Sequence, residues 1–441
     1  MAVYLADYDD CLELLINSDP AEYERRRSNF DTRLEQLRKG DKNSPWYRLC
    51  IAGVYLHKAI INVRFGEQYK AALNFRHSCS LLKENAAQFP GFEYNYIFSG
   101  LQQAVVGSLP PGYKWLASVF GMKGDVRQGT AALASFVNTH NESHPLYAET
   151  VLYYLYARFY LLSEQQEVWN FVNTTQFDAT HNLLNTFVKA NIALDYHKAD
   201  EAIATLRAAS AAVHYNLYPV FHYQMGVALL TRGDTACAGY FMQYLQTSKS
   251  PFYIKDTWQK MAFSWYICND MAKANYCLSR LKASGTATID ADKQAARFAE
   301  KNTWPLRPLL KARLLIDGGY SGTALATLAR ITPAELTHPA DKAEYYFRLG
   351  RANEDLAISP GQTQHYKIAL GYYRQAMDIG KGRPEQFAAR AALHMGKIFE
   401  LLHLDDEAIK KYNECLDLPP HDFQNSIDQQ AKAGINRVEG R

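Results

Sequence analysis

The chain predicts an all-α protein, a solenoid of antiparallel helix pairs. Three observations carry that expectation. Apolar residues recur at three- and four-residue spacing nearly end to end, with almost no strand-like alternation. Short Gly, Pro, Asn and Asp clusters break this periodicity at intervals that suit helical hairpins. Three stretches also share one pattern: a small residue in a first helix, Ala twelve residues on, and a large residue four after that. The triples are Gly226/Ala238/Met242, Ala262/Ala274/Leu278 and Gly396/Ala408/Tyr412. Small residues let two helices approach closely, and large ones fill the gaps between pairs. At 441 residues the chain exceeds the usual limit of one hydrophobic core, about 250–300 residues, so an elongated array or several domains is expected.

The elements follow in order. Residues 3–39 read as two helices parted at Asn17-Ser18-Asp19-Pro20, with Ser18 or Asp19 as cap and Pro20 in the next first turn. The charged run Glu22 to Arg27 reads as a solvated face. Ser44-Pro45 opens a helix to about Phe65, and its partner spans Gln68 to Ala87. Gly53 and Ala72 are the expected close contact of this pair, with an extended turn between. A helix near Glu93 to Val106 precedes the break Leu109-Pro110-Pro111-Gly112. Residues 113–137 read as two helices with a turn at Gly121 to Asp125. A loop from Thr139 to Pro145 leads to a helix from Leu146 to Leu162.

From about 183 the units become regular. Ala190/Ala202/Leu206 marks one, and the units on Gly226 and Ala262 lie about 36 residues apart, near the ~34-residue period of a known helical-hairpin repeat. Ala283 to Lys301 is irregular, with Gly285 as breaker and a polar helix near Asp290. Residues 307–330 form a short pair with Ala312, the turn Asp317-Gly318-Gly319, Ala324 and Leu328. Gly350, Ala369 and Tyr373 mark the next unit, with an insertion at Ile358 to Gln364. Gly396, Phe399, Ala408, Tyr412 and Pro420 mark the last, and 421–436 reads as a polar capping helix. The expected division is an irregular helical portion with repeat-like hairpins (1–180), a regular array (181–285), and a second array with its cap (286–441).

The period and the small-residue triples resemble the tetratricopeptide repeat (TPR) superfamily. Leu109-Pro110-Pro111, Phe120-Gly121-Met122-Lys123-Gly124-Asp125, Gly129, Leu133 and Leu152-Tyr153-Tyr154 resemble, in order, a pattern of the tetratricopeptide repeat protein 39 family, although Phe120-Gly121-Met122 departs from the usual order. The superfamily resemblance implies a right-handed TPR-like solenoid whose first helices line a concave surface. By that resemblance Tyr223, Gln224 and Val227 face inward in one unit, and Gln259, Lys260, Phe263 and Tyr266 in the next. Phe347, Arg348, Arg351 and Glu354 follow, then Arg390, His394, Lys397 and Glu400. Rings, amides and basic groups of this kind suit an extended peptide. The Lys/Asn/Lys/Arg carboxylate-clamp set of some superfamily members is absent, so recognition of a chaperone C-terminus is not expected.

Composition narrows the function classes. The chain is 48% hydrophobic and 21% charged, which is globular, and 13% aromatic with 30 Tyr. A net charge of +3 gives no concentrated basic footprint, so no nucleic-acid partner is expected. Seven scattered cysteines without C-x-x-C read as core thiols. No apolar run reaches the roughly 18 residues a membrane span needs. A cytoplasmic protein is the default expectation, and an exported one if a leader has been removed upstream of Met1. His140-Asn141-Glu142-Ser143-His144 has its Glu misplaced for a zinc-hydrolase motif and precedes Pro145. His394, Glu400 and His403 lack ligand spacing. Gly318-Gly319 and Gly380-Lys381-Gly382-Arg383 are turns rather than phosphate loops, and no G-x-S-x-G occurs. No catalytic residue, metal or cofactor is expected, and oligomeric state is open. The leading expectation is a non-enzymatic protein-interaction scaffold or adaptor. The alternative is an exported ligand- or glycan-binding protein that uses surface aromatics on the same scaffold.

Overall fold

A computed structural model of the chain describes residues 1–109, 124–332, 334–358 and 363–440, and all that follows concerns these. The expected break at Pro110 to Gly112, the helix beginning near 113 and most of the 121–125 turn lie outside them. So does the middle of the 358–364 insertion.

The described residues are all-α. The first helices are α1 (Ala2–Asn17), α2 (Pro20–Leu37), α3 (Pro45–Arg64), α4 (Gln68–Gln88), α5 (Asn95–Ser108) and α6 (Val126–Thr139). Their starts follow from local chemistry. The Asp19 carboxylate accepts from the Ala21 amide at 2.9 Å ahead of Pro20, and Ser44 Oγ from the Trp46 amide at 3.3 Å ahead of Pro45. The helix α7 (Tyr147–Tyr156) runs into a π-helical turn at Ala157–Leu161, and α8 (Gln165–Val172) is a short helix not foreseen from sequence. The Gly53–Ala72 contact does not form as expected. A Cβ on Gly53 would lie 2.4 Å from the Tyr4 ring, so α3 is notched for α1, and Ala71 rather than Ala72 is the buried residue of α4.

A buried ionic cluster ties these helices together. His57 of α3 meets the Asp7 carboxylate of α1 at 2.7 Å and the Glu149 carboxylate of α7 at 2.9 Å. Tyr4 and Tyr153 both donate to Glu149, the latter at 2.6 Å. Burial works against a charged His57 ring, but the Glu149 charge and the hydrogen bonds to Asp7 and Glu149 outweigh it and push the ring up to about 9.

The repeat array follows as pairs α9 (Leu183–Asp195) with α10 (Ala199–Ala209), α11 (Val220–Arg232) with α12 (Cys237–Thr247), and α13 (Ile254–Ile267) with α14 (Met271–Ala283). After α15 (Asp290–Lys301) come α16 (Arg307–Asp317) with α17 (Ser321–Leu328), α18 (Pro339–Ala357) with α19 (Gln364–Gly380), and α20 (Phe387–Leu401) with α21 (Asp405–Leu416). The helix α22 (Gln424–Glu439) closes the series. Consecutive first helices touch one another, as expected of stacked helical hairpins in a solenoid.

The small-residue triples are where the pairs pack. Ala262/Ala274, Gly350/Ala369 and Gly396/Ala408 are buried, and a Cβ on Gly396 would meet the Tyr412 ring at 2.5 Å. The Gly226 triple is displaced by one residue. The turn after Gly233 delivers α12 one position early, so Cys237 and Phe241 are buried in place of Ala238 and Met242, and Phe241 fills the notch of Gly226.

The solenoid also folds back on itself. The turn after α16 docks on the turn between α9 and α10: the Ala199 amide donates to Gly318 O at 3.3 Å, and His197 Nδ1 to Asp317 O at 3.0 Å. The Tyr320 hydroxyl donates to Asp200 at 2.7 Å. Among the described residues no helix is long and apolar enough to cross a membrane.

Candidate functional site

The residues expected on the inner face divide into a filled set and a set rich in charge. In the filled set the expected residues are engaged by the chain itself. The Tyr223 hydroxyl donates to Asp256 at 2.7 Å, and the ring borders a cavity of about 70 Å³. Leu15, Asn17 and Arg64 of the N-terminal helices close that cavity. Gln224 is 1% exposed and donates to Asn191 Oδ1 at 2.7 Å and Phe187 O at 3.2 Å. Lys260 pairs with Asp256 at 2.6 Å, and Gln259 beside it is half-buried.

The segment holding α15 covers the next two positions. Phe263 is 6% exposed, with Phe298 edge-on at 5.0 Å. Tyr266 stacks on Trp304 at 4.5 Å, donates to Pro305 O at 2.9 Å, and carries the Arg307 guanidinium at 4.6 Å. The buried Asp292 carboxylate accepts the Tyr253 and Asp256 amides at 2.8 and 3.0 Å, which pins α15 to the start of α13.

In the charged set, α18 and α20 bring most of the remaining candidates together. Phe347 is the exception. It is 1% exposed and packs between Tyr373 and Phe387. Arg348 donates to Glu344 at 2.8 Å. Arg351 meets Glu354 at 3.0 Å and Asp355 at 3.1 Å. Glu354 also faces His394 Nδ1 at 2.9 Å and the Tyr373 hydroxyl. Burial opposes a charged Glu354, yet these neighbours hold it well below the usual carboxylate range. Burial keeps the His394 ring neutral, pushed down to about 4.

The remaining cations are placed differently. Arg390 Nε donates to the Gln386 side chain at 2.5 Å, and Lys397 Nζ to Gln430 Oε1 at 3.1 Å. Arg313 of α16 lies 5.4 Å from the Phe263 ring centroid. Among the described residues none of the three forms an ion pair with a carboxylate, whereas Arg437 is bonded twice to Glu400 at 3.0 Å. Burial pushes Arg390 down to about 10, with Arg348, Arg351 and Arg313 adding to it against the pull of Asp317. Burial likewise brings Lys397 down to about 8, reinforced by Arg351, Arg437 and Arg390 against the pull of Glu354. Arg313 is lowered by burial and by Arg348.

Arg313 and Arg437 are absent from the sequence expectations. For Arg313 a signal exists. It follows Ala312 as Phe263 follows Ala262, Arg351 follows Gly350 and Lys397 follows Gly396. No group of three or more metal-ligating side chains is found among the described residues.

No family model matches the chain, and no curated protein matches it. Among solved structures it is similar to the crystal structure of the P58(IPK) TPR domain, with 11% identity over 99% of both chains and a TM-score of 0.23. It is also similar to the crystal structure of the yeast Tom70, with 12% identity over 99% of this chain and 96% of that one, again at a TM-score of 0.23.

Proposed function

We propose that the chain is a non-enzymatic interaction scaffold that takes an extended protein or peptide segment along the charged half of its concave face. Residues 1–180 and the array to 285 then serve as mutual support, and 286–441 carries the binding surface. One observation supports this most. The chain covers the inner face of α11 and α13 with its own N-terminal helices and α15, yet leaves Arg313, Arg390 and Lys397 without an ionic partner on the face beyond. Half-buried cations of that kind are what an incoming polar chain engages.

The test is affinity capture from the native host with the wild-type chain and an R390E/K397E variant. Arg348 and Arg351 are left intact, because removing them strands the buried Glu354 and the half-buried Glu344 and Asp355 and damages the fold. The expected result is partner loss in the variant at an unchanged melting temperature. Recovery of the same partner set by both proteins rules the reading out.

A further inference from the structure

Resting on that reading, we propose that the segment this face receives is acidic, with Asp or Glu side chains spaced by neutral residues, and that Arg313, Arg390 and Lys397 are the groups that receive its carboxylates. Four other cations of this face are met by an acid of the chain's own: Lys260 by Asp256, Arg348 by Glu344, Arg351 by Glu354 and Asp355, Arg437 by Glu400. Arg313, Arg390 and Lys397 form no such pair among the described residues: Arg390 and Lys397 meet amides and Arg313 a ring, as Arg307 meets the Tyr266 ring and Arg64 the Phe252 ring. Withdrawing a cation from water without a counter-charge is unfavourable, and a bound carboxylate reverses that penalty. Arg348, Arg351 and Arg313 add positive field at Arg390, which the Asp317 carboxylate offsets in part without pairing with it.

A second feature points the same way. Phe423, the residue before α22, has φ 62°, a left-handed conformation that is strained for a bulky side chain. Its ring lies 5.9 Å from the Arg390 guanidinium and also borders an open cleft of about 470 Å³ between α15 and the 421–426 turn. The strained turn therefore holds a ring beside Arg390 while one flank of that ring opens to solvent.

The occupant is a peptide rather than a nucleic acid because the field alternates. Glu344, Glu354, Asp355 and Glu400 stand between the cations. A uniformly charged phosphate backbone would be repelled at those positions, whereas a peptide can place neutral residues there.

The experiment is selection of a displayed random dodecapeptide library on the full chain, run in parallel on R313Q, R390Q/K397Q and, as a surface control, K410Q. Asp plus Glu should be enriched at least about twofold in peptides selected by the wild type and K410Q, and the enrichment should vanish with R390Q/K397Q and weaken with R313Q. Circular dichroism melts of each variant exclude unfolding as the cause. Selected peptides without acidic enrichment overturn this inference, and the broader reading survives only if those peptides lose binding to R390E/K397E. Failure to enrich any peptide overturns both. Displacement of the acidic peptides by low micromolar single-stranded oligothymidine overturns the choice of a peptide.

Discussion

Gly396 of α20 and Gly434 of α22 both face the ring of Tyr412, which is fully buried and donates its hydroxyl to Glu400 at 2.6 Å. A Cβ at either position would stand 2.5 or 2.4 Å from that ring. Helix propensity favours Gly396→Ala by about 1 kcal/mol. Overpacking opposes it by about 1–3 kcal/mol, and the pinned ring cannot yield, so packing decides the sign. Gly396→Ala should therefore lower the unfolding free energy in urea. Gly371 of α19 is the matched control, since it is exposed and nothing lies within 4 Å of an added Cβ. Gly371→Ala should stabilise by about 0.5–1 kcal/mol. If the two substitutions shift stability in the same direction, close packing is not what selects glycine at the first position of the triples.

Helix starts and pair boundaries were legible because caps and breakers act locally: Asp19-Pro20 and Ser44-Pro45 set α2 and α3 where the residues indicated. The small-residue pattern also located the later pairs. It misread α12 by one residue because the length of the turn after Gly233, not the pattern, sets the helix start. Much of the candidate site was not legible, for a different reason. Whether Gln224 or Phe263 meets solvent depends on what α9 and α15 cover, and those contacts join residues more than 30 positions apart. The His57 cluster was equally hidden, since Asp7, His57 and Glu149 belong to three elements with no shared motif. It makes a pH prediction. The folded ring titrates near 9, above the ordinary value of 6.5, so its contribution is fully present below about 6.5 and is lost as pH rises through 9. Urea-unfolding free energy should fall across that window by up to about 3 kcal/mol. Lys397, lowered to about 8, acts oppositely above that pH, so the interval from about 6.5 to 8 isolates His57. Histidine NMR settles it: an imidazole at position 57 that titrates near 6.5 removes the account.

Over the whole molecule, the fold-back of α16 on the α9–α10 turn changes how the solenoid should unfold. A simple repeat array couples only neighbours, so damage in one unit spreads to the next and fades. Here the turn between α16 and α17 bonds to His197, Ala199 and Asp200 across the intervening α11–α15. The contact depends on two glycines. A Cβ on Gly318 would lie 2.8 Å from Thr231 O, and one on Gly319 would lie 2.2 Å from His197 O at a backbone φ of +88°. Gly319→Ala thus meets both a backbone clash, which no rotamer relieves, and a left-handed conformation that disfavours a side chain. Hydrogen exchange should then show protection lost together in residues 183–209 and 307–328, while 405–416, far along the array, exchanges as before. The wild-type chain should show these two segments opening as one cooperative unit despite their separation in sequence. Loss confined to 307–328 would mean that the fold-back contributes no coupling, and that the array behaves as a one-dimensional stack after all.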